Sequence, residues 1–93
     1  MIKTFSDKRT ETLFDKGAFK KTENALAAKA KKQLDRLNAA TRLEDLYFPP
    51  SNYFESLTGY NPTRYSIRVN KQWRISFEWR DGDAFEALYE DYH

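Results

Sequence analysis

The fold of this chain is decided by residues 65–79, which read Tyr-Ser-Ile-Arg-Val-Asn-Lys-Gln-Trp-Arg-Ile-Ser-Phe-Glu-Trp. Apolar and polar side chains alternate on both sides of Asn70-Lys71, and a period of two is typical of strands with one buried face. The segment therefore predicts two antiparallel strands, over 64–70 and 72–79, joined by a tight turn. Asp81-Gly82 is a strong hairpin signal and predicts a third strand over 84–90.

Helical patterns precede these strands. Ser6 is expected to cap a helix over 7–16 that ends at Gly17. Thr22 is expected to cap a second helix over 23–40, because apolar residues recur there at helical spacing: Leu26, Ala30, Leu34 and Leu37. The pattern also predicts a short strand over 2–5, one more helical turn near residues 43–47, and a loop over 49–63.

Only the two N-terminal helices are available to cover the apolar face of the strands. The prediction is therefore an α+β fold, with both helices packed on one face of a small twisted antiparallel sheet. The length of 93 residues is that of one domain, expected to span 1–93.

Composition excludes several classes of protein. Charged residues make up 32% of the chain and no long apolar run occurs, which argues against a membrane span. The absence of cysteine excludes disulfides, thiol nucleophiles and thiolate zinc sites, and the single histidine, His93, excludes a multi-histidine metal cluster. We therefore expect no metal and no cofactor. The first residues lack the apolar core of a signal peptide, so a cytoplasmic location is expected.

The charge is unevenly distributed. Residues 1–48 carry 11 Lys/Arg against 7 Asp/Glu, a net +4, whereas residues 49–93 carry 5 against 7, a net −2. The basic residues in and before the second helix form either a solvated face or a surface for ribosomal or other RNA; they are Lys20, Lys21, Lys29, Lys32 and Arg36. Residues 56–77 contain no acid and four basic residues: Arg64, Arg68, Lys71 and Arg74.

Two of these arginines are expected to be neighbours. Arg68 and Arg74 flank the hairpin turn on adjacent strands, and the alternation places both on the face opposite the helices. Two adjacent guanidinium groups repel each other unless an anion or a carboxylate lies between them. The pair is thus either an anion site or part of an internal Arg–Glu ladder with Glu78.

The chain ends in Asp91-Tyr92-His93. An unperturbed histidine titrates near 6.5, so His93 is suited to proton transfer at neutral pH, and Tyr92 could stack on a base. The alternative is a frayed, inert tail.

The segment 65–79 and the terminal Asp91-Tyr92-His93 together resemble the HigB family of bacterial toxins, within the RelE/ParE-like superfamily. The opening residues 1–6 and the stretch 52–59 are also similar, so the resemblance runs nearly end to end. It implies the toxin of a type II toxin–antitoxin module. Such toxins are typically ribosome-dependent, metal-independent endoribonucleases that cut mRNA, and a helix-turn-helix, HigA-like antitoxin neutralises the toxin monomer in a complex.

The resemblance also implies site residues. Arg74 and then Arg68 match positions that stabilise the phosphate, His93 is the best candidate acid or base, Asp91 would orient it, and Tyr92 would position the RNA. The implied reaction is attack of a ribose 2′-OH on the adjacent phosphate, giving a 2′,3′-cyclic phosphate and a 5′-OH. Arg64 and Lys71 are additional candidates.

One position departs from the family pattern. Some members carry a histidine near the position of Glu55, which is either a general base or a surface acid here. Two rival functions share the fold: a ParE-like gyrase poison, which needs no nuclease residues, and a noncatalytic module that binds RNA or protein.

Overall fold

The computed structural model describes residues 1–20 and 22–91. Its elements follow in the order α1 (Lys8–Lys16), α2 (Asn24–Ala39), two short 3₁₀ helices (Leu43–Tyr47 and Pro50–Asn52), β1 (Glu55–Leu57), β2 (Arg64–Arg68), β3 (Trp73–Arg80) and β4 (Asp83–Asp91). The four strands form one antiparallel sheet in the order β1-β2-β3-β4. The α+β prediction, with two helices on one face of an antiparallel sheet, is confirmed.

Alternation along the strands separates two faces of the sheet. Ile67, Ile75 and Phe77 are fully buried and belong to the same core as the apolar stripe of α2. Three of the four predicted stripe residues are completely buried there: Ala30, Leu34 and Leu37. The period of two therefore predicted correctly which strand residues the helices cover, and Arg68 and Arg74 lie on the other face.

The helix caps differ from the prediction by one residue. The carboxylate of Asp7, not the hydroxyl of Ser6, accepts the N–H of Thr10 at 2.8 Å and caps α1. The Ser6 hydroxyl instead donates to the carbonyl of Glu86. Helix α2 begins after Glu23 without a side-chain cap hydrogen bond, so Thr22 does not cap it. Gly17 ends α1 as predicted, with φ of +71° and its N–H bonded to the carbonyl of Leu13.

Two strand predictions need correction. Residues 2–5 do not form a regular strand; Ile2 and Phe5 make isolated parallel bridges to β4. Conversely, β1 lies inside the predicted loop over 49–63. Its three residues have no recognisable pattern, and they are extended because they pair with β2, with Glu55 opposite Ser66. Tertiary pairing, not local sequence, creates this strand.

The turn at Asp81-Gly82 is the predicted tight hairpin. Both residues have positive φ, +52° and +82°, as the two-residue turn that matches the twist of the strands requires. It joins β3 to β4, which places the end of β4 beside the start of β3, where Asp91 is opposite Trp73. In the described part of the chain, neither helix has the length and apolar character needed to cross a bilayer.

Candidate active site

Arg74 occupies the middle of the polar face of the sheet. It lies on β3 directly opposite Arg68 of β2 and Glu90 of β4. Its side chain is only 6% exposed. Nε donates to the Ser66 hydroxyl at 2.8 Å, and Nη2 donates to the backbone carbonyls of Tyr53 and Ser66. The guanidinium is therefore held in one orientation before any ligand arrives.

Two glutamates lie close to Arg74. Oε1 of Glu55 lies 3.6 Å from Nε of Arg74. Glu90 is its cross-strand neighbour and accepts a hydrogen bond from the hydroxyl of Ser76. Glu78, the carboxylate considered for the alternative of an internal ladder, pairs with Arg64, with 3.6 Å between its Oε2 and Nη1 of Arg64. Glu55 reaches Arg74 because β1 pairs on the outer side of β2, a neighbour that the sequence pattern did not reveal.

Arg68 is held by an aromatic ring. Its guanidinium carbon lies 4.5 Å from the centre of the Tyr53 ring, and its Nε donates to the carbonyl of Asn70. The predicted closeness of Arg68 and Arg74 is confirmed by their pairing across β2 and β3. Ser66 and Ser76 on this face are nevertheless buried, each 1% exposed. Long arginine and glutamate side chains fold over these serines, and a period of two cannot predict that.

A cleft of about 210 Å³ opens above Arg74 and reaches the end of β4. Asp91 lies at its edge, where its carboxylate accepts a hydrogen bond of 3.0 Å from the Gln72 side chain. The cleft is lined by Leu57, Thr58, Tyr60, Ser66, Arg74, Ser76, Glu90 and Asp91. Tyr92 and His93 lie outside the described residues, so their roles stay predictions. Arg74 and Asp91, two of the site residues that the family resemblance implies, line the same cleft.

The other candidate residues are distributed as follows. Arg64 bonds the Ser76 hydroxyl and the carbonyl of Glu86, which ties it into the sheet. Arg36 is partly buried and donates to Gln33 and Asn52, so its guanidinium links α2 to the following connector and is not simply a solvated cation. The remaining candidate lysines within the described residues are exposed: Lys20, Lys29, Lys32 and Lys71. Lys21 lies outside the described residues.

Sequence reasoning missed several residues of the site. Glu90 is the cross-strand partner of Arg74, so the pairing of the last two strands could have assigned it to the cleft; the period of two already places Ser76 on the face of Arg74, but not as a site residue. Tyr53, which contacts both arginines, follows an irregular segment without any pattern, and no sequence signal pointed to it.

The arrangement combines the fixed guanidinium of Arg74 with the carboxylates of Glu90 and Asp91 in one cleft. A guanidinium with defined orientation suits the binding of a phosphate or another oxyanion. Among residues 1–20 and 22–91, no group of three or more acidic side chains is arranged to hold a metal ion.

Comparison with known proteins identifies the family of the chain. The model of a family described as the RelE-like toxin of the type II toxin–antitoxin system HigB matches residues 3–93. The chain belongs to the HigB-like toxin family. It is also similar to Toxin HigB-1 of Vibrio cholerae serotype O1, with 48% identity over 71 residues, which cover 76% of this chain and 70% of that protein. Endoribonuclease HigB of Proteus vulgaris is 32% identical over 93 residues and is matched from end to end. As a HigB-like toxin, the chain has an antitoxin as its partner.

Proposed function

We propose that this toxin is a ribosome-dependent endoribonuclease that cuts mRNA and thereby inhibits translation. The observation that carries the proposal is the preorganised Arg74, which is buried in the sheet, held by Ser66 and the carbonyl of Tyr53, and lines the cleft. The name of the Proteus vulgaris relative, an endoribonuclease, supports the same activity.

The proposed reaction needs no resident metal. The ribose 2′-oxygen forms a bond to the adjacent phosphorus, and the bond from phosphorus to the 5′-oxygen breaks. A base takes the 2′-OH proton and an acid protonates the leaving 5′-oxygen, which leaves a 2′,3′-cyclic phosphate and a 5′-OH. Arg74, with Arg68 beside it, stabilises the extra negative charge on the phosphorane, an effect typically of about 10²–10³ in rate for each preorganised group.

Proton transfer is assigned to the terminal segment. His93 acts as acid or base, Asp91 orients it or shares the proton, and Tyr92 positions the RNA. Glu55 is the additional candidate base because its carboxylate is half-exposed and lies next to Arg74. General acid–base catalysis of this kind contributes about 10²–10⁴ in rate.

The partners follow from the same proposal. The toxin is a cytoplasmic monomer formed by one domain over 1–93, and a HigA-like helix-turn-helix antitoxin neutralises it in a complex. The exposed lysines contribute to ribosome binding: Lys20, Lys29, Lys32 and Lys71, together with Lys21.

The test is a cleavage reaction with purified toxin, ribosomes and a defined mRNA. We expect cuts at specific positions, with new 5′-OH and 2′,3′-cyclic phosphate ends, that disappear when the ribosomes are left out or when the antitoxin encoded beside the toxin is added. Trapped gyrase–DNA breaks without RNA cuts would instead establish a gyrase poison. Binding to ribosomes without either product would establish a noncatalytic module.

A further inference from the structure

A second groove lies beside the cleft, on the connector between α2 and β1. It has a volume of about 460 Å³ and is lined by Tyr47, Pro50, Tyr53, Phe54, Glu55 and Ser56. Both of its tyrosines are exposed residues, 48% for Tyr47 and 59% for Tyr53. We call the side chains of Tyr47, Pro50, Tyr53 and Phe54 the aromatic ledge.

The ring of Tyr47 is packed against a row of aromatic rings that ends in the core. Tyr47 contacts Phe54 at 4.9 Å between ring centres, and Phe54 stacks on Tyr65 at 5.8 Å. Tyr65 in turn contacts the fully buried Phe77 at 6.1 Å. This row of rings leads from the surface to the core, so a ligand that stacks on Tyr47 meets a ring that is already ordered. Preorganisation of this kind lowers the entropic cost of binding.

Tyr53 connects the ledge to both arginines of the site. Its ring packs against the guanidinium of Arg68, and its carbonyl accepts a hydrogen bond from Arg74. Its backbone has φ of +43°, in the left-handed region that few residues other than glycine adopt. An exposed aromatic ring is thus held next to the two cations that would bind the scissile phosphate.

The ledge and the cleft are continuous through one residue. Glu55 lines the groove and also lies 3.6 Å from Arg74. A nucleic acid strand with a phosphate at Arg74 therefore has a neighbouring nucleotide within reach of the ledge. Aromatic rings beside cations are the combination by which proteins bind unpaired bases, since every base offers a face for stacking.

We propose that the aromatic ledge binds an unpaired base of the RNA strand that flanks the scissile phosphate, with Tyr53 and Tyr47 as the stacking residues. The proposal rests on the proposed function, because it takes the bound phosphate at Arg74 as its reference. RNA is favoured as the occupant because Tyr53 contacts both Arg68 and Arg74, the two cations of the proposed phosphate site. Phe48, the most exposed apolar side chain of the connector at 72%, lines a different groove.

The test measures binding of a short 2′-O-methyl oligoadenylate to the free toxin at low salt. The methyl group blocks the attacking 2′-oxygen, so the result does not depend on cleavage. The variants are Tyr53→Ala and Tyr47→Ala, with Phe48→Ala as the matched control on the same connector. The second ligand is the same strand with abasic residues, which keeps the phosphates and removes the bases. Thermal melting checks that each variant is folded. If Tyr53→Ala is unstable, Tyr53→Trp replaces it as a variant that changes the ring but keeps an aromatic side chain.

We expect Tyr53→Ala to weaken binding of the oligoadenylate by about 5- to 100-fold, the usual effect of losing one stacked base. Tyr47→Ala should weaken it less, Phe48→Ala not at all, and neither tyrosine variant should affect the abasic strand. Equal affinity of wild type and Tyr53→Ala, equal losses on both strands, or no binding by wild type would each overturn the proposal. If the tyrosine variants lost affinity for the antitoxin and kept full affinity for the oligoadenylate, the ledge would be a protein-binding surface and the proposal would be overturned as well. A toxin that binds the strand through the ledge but cuts no mRNA would contradict only the proposed function.

Discussion

At the residue scale, Arg74 combines a structural role with the proposed role in phosphate binding. Its guanidinium holds Ser66 and the carbonyl of Tyr53, and it also forms the cationic floor of the cleft. An alanine at this position removes the proposed phosphate contact and also the donors that Ser66 and the carbonyl of Tyr53 accept from. Loss of activity in that variant alone therefore does not separate the two roles.

Lysine at position 74 separates them. We expect Arg74→Lys to reduce mRNA cleavage by about 10²–10³, since an ammonium group keeps the charge but not the planar fork of donors. Arg74→Ala should abolish cleavage and also reduce the free energy of unfolding by about 1–3 kcal/mol, through the unsatisfied groups. The measurements are cleavage rates with programmed ribosomes and urea unfolding, with Ser66→Ala as the control that removes only one acceptor of Arg74. Wild-type cleavage by Arg74→Lys would exclude the forked contact with phosphate.

The chain has one histidine, so any imidazole chemistry uses His93. We expect deletion of His93, or His93→Ala, to reduce cleavage at least about tenfold, within the usual range for a general acid or base. The melting temperature should hardly change, because a terminal residue contributes little burial. His93→Gln distinguishes proton transfer from simple hydrogen bonding. Wild-type cleavage by the deletion variant would transfer the proton role to Asp91, Glu55 or the ribosome.

At the scale of elements, α1 is the shorter of the two α-helices and is stabilised by local hydrogen bonds at both ends. Asp7 caps its first turn and Gly17 ends it. In its first turn Arg9 donates to the carbonyl of Tyr89 on β4, and Thr10 accepts the N–H of the same residue. The cap therefore stabilises the helix and also its contact with the strand that leads to the cleft.

We expect Asp7→Ala to reduce the free energy of unfolding by about 0.5–2 kcal/mol, the usual cost of losing an N-cap. Near 1 kcal/mol this corresponds to a decrease of about 4–8 °C in melting temperature for a domain of this size. Ser6→Ala is the matched control and should cost less, because the exposed Ser6 hydroxyl bonds only a carbonyl of β4. A larger loss for Ser6→Ala than for Asp7→Ala would contradict the assignment of the cap.

At the scale of the whole molecule, the structure separates two groups of charged side chains, one on the polar face of the sheet and one on α2. On the polar face of the sheet, Arg64, Arg68 and Arg74 lie among Glu55, Glu78 and Glu90. The exposed lysines of α2 lie apart from this balanced cluster. Binding to the ribosome can therefore depend on a surface that is separate from the cleft.

We expect association with ribosomes to weaken steeply with salt. Lys29→Ala with Lys32→Ala should reduce the slope of log affinity against log salt by about 0.7–0.9 for each lysine that contacts a phosphate. Lys8→Ala is the control, since Lys8 is exposed but pairs with Glu11 at 3.3 Å. The measurement is sedimentation of toxin with ribosomes over a salt series. An affinity independent of salt would indicate a contact with ribosomal protein instead of RNA.

Much of the fold could be predicted from the sequence because the relevant rules act between near neighbours. The period of two along Ile67, Ile75 and Phe77 reflects the geometry of a strand, and the spacing of Leu34 and Leu37 reflects that of a helix. These patterns predicted the α+β fold and the face that carries Arg68 and Arg74. The Asp81-Gly82 turn followed from its requirement for positive φ.

The surroundings of Arg74 were decided by tertiary structure. Tyr53 and Glu55 precede Arg74 by about 20 residues and lie in a segment without periodicity, so only the pairing of β1 with β2 brings them to its side. The same holds for Arg36, which the sequence predicted as a surface cation and the structure bonds to Asn52. The sequence by itself determined which residues alternate between faces and where the chain turns, since backbone geometry imposes both locally. The packing of distant segments decided which polar side chains meet across the sheet. A buried guanidinium bonds the backbone carbonyls and carboxylates that the fold places within reach, and these come from parts of the chain far apart in sequence.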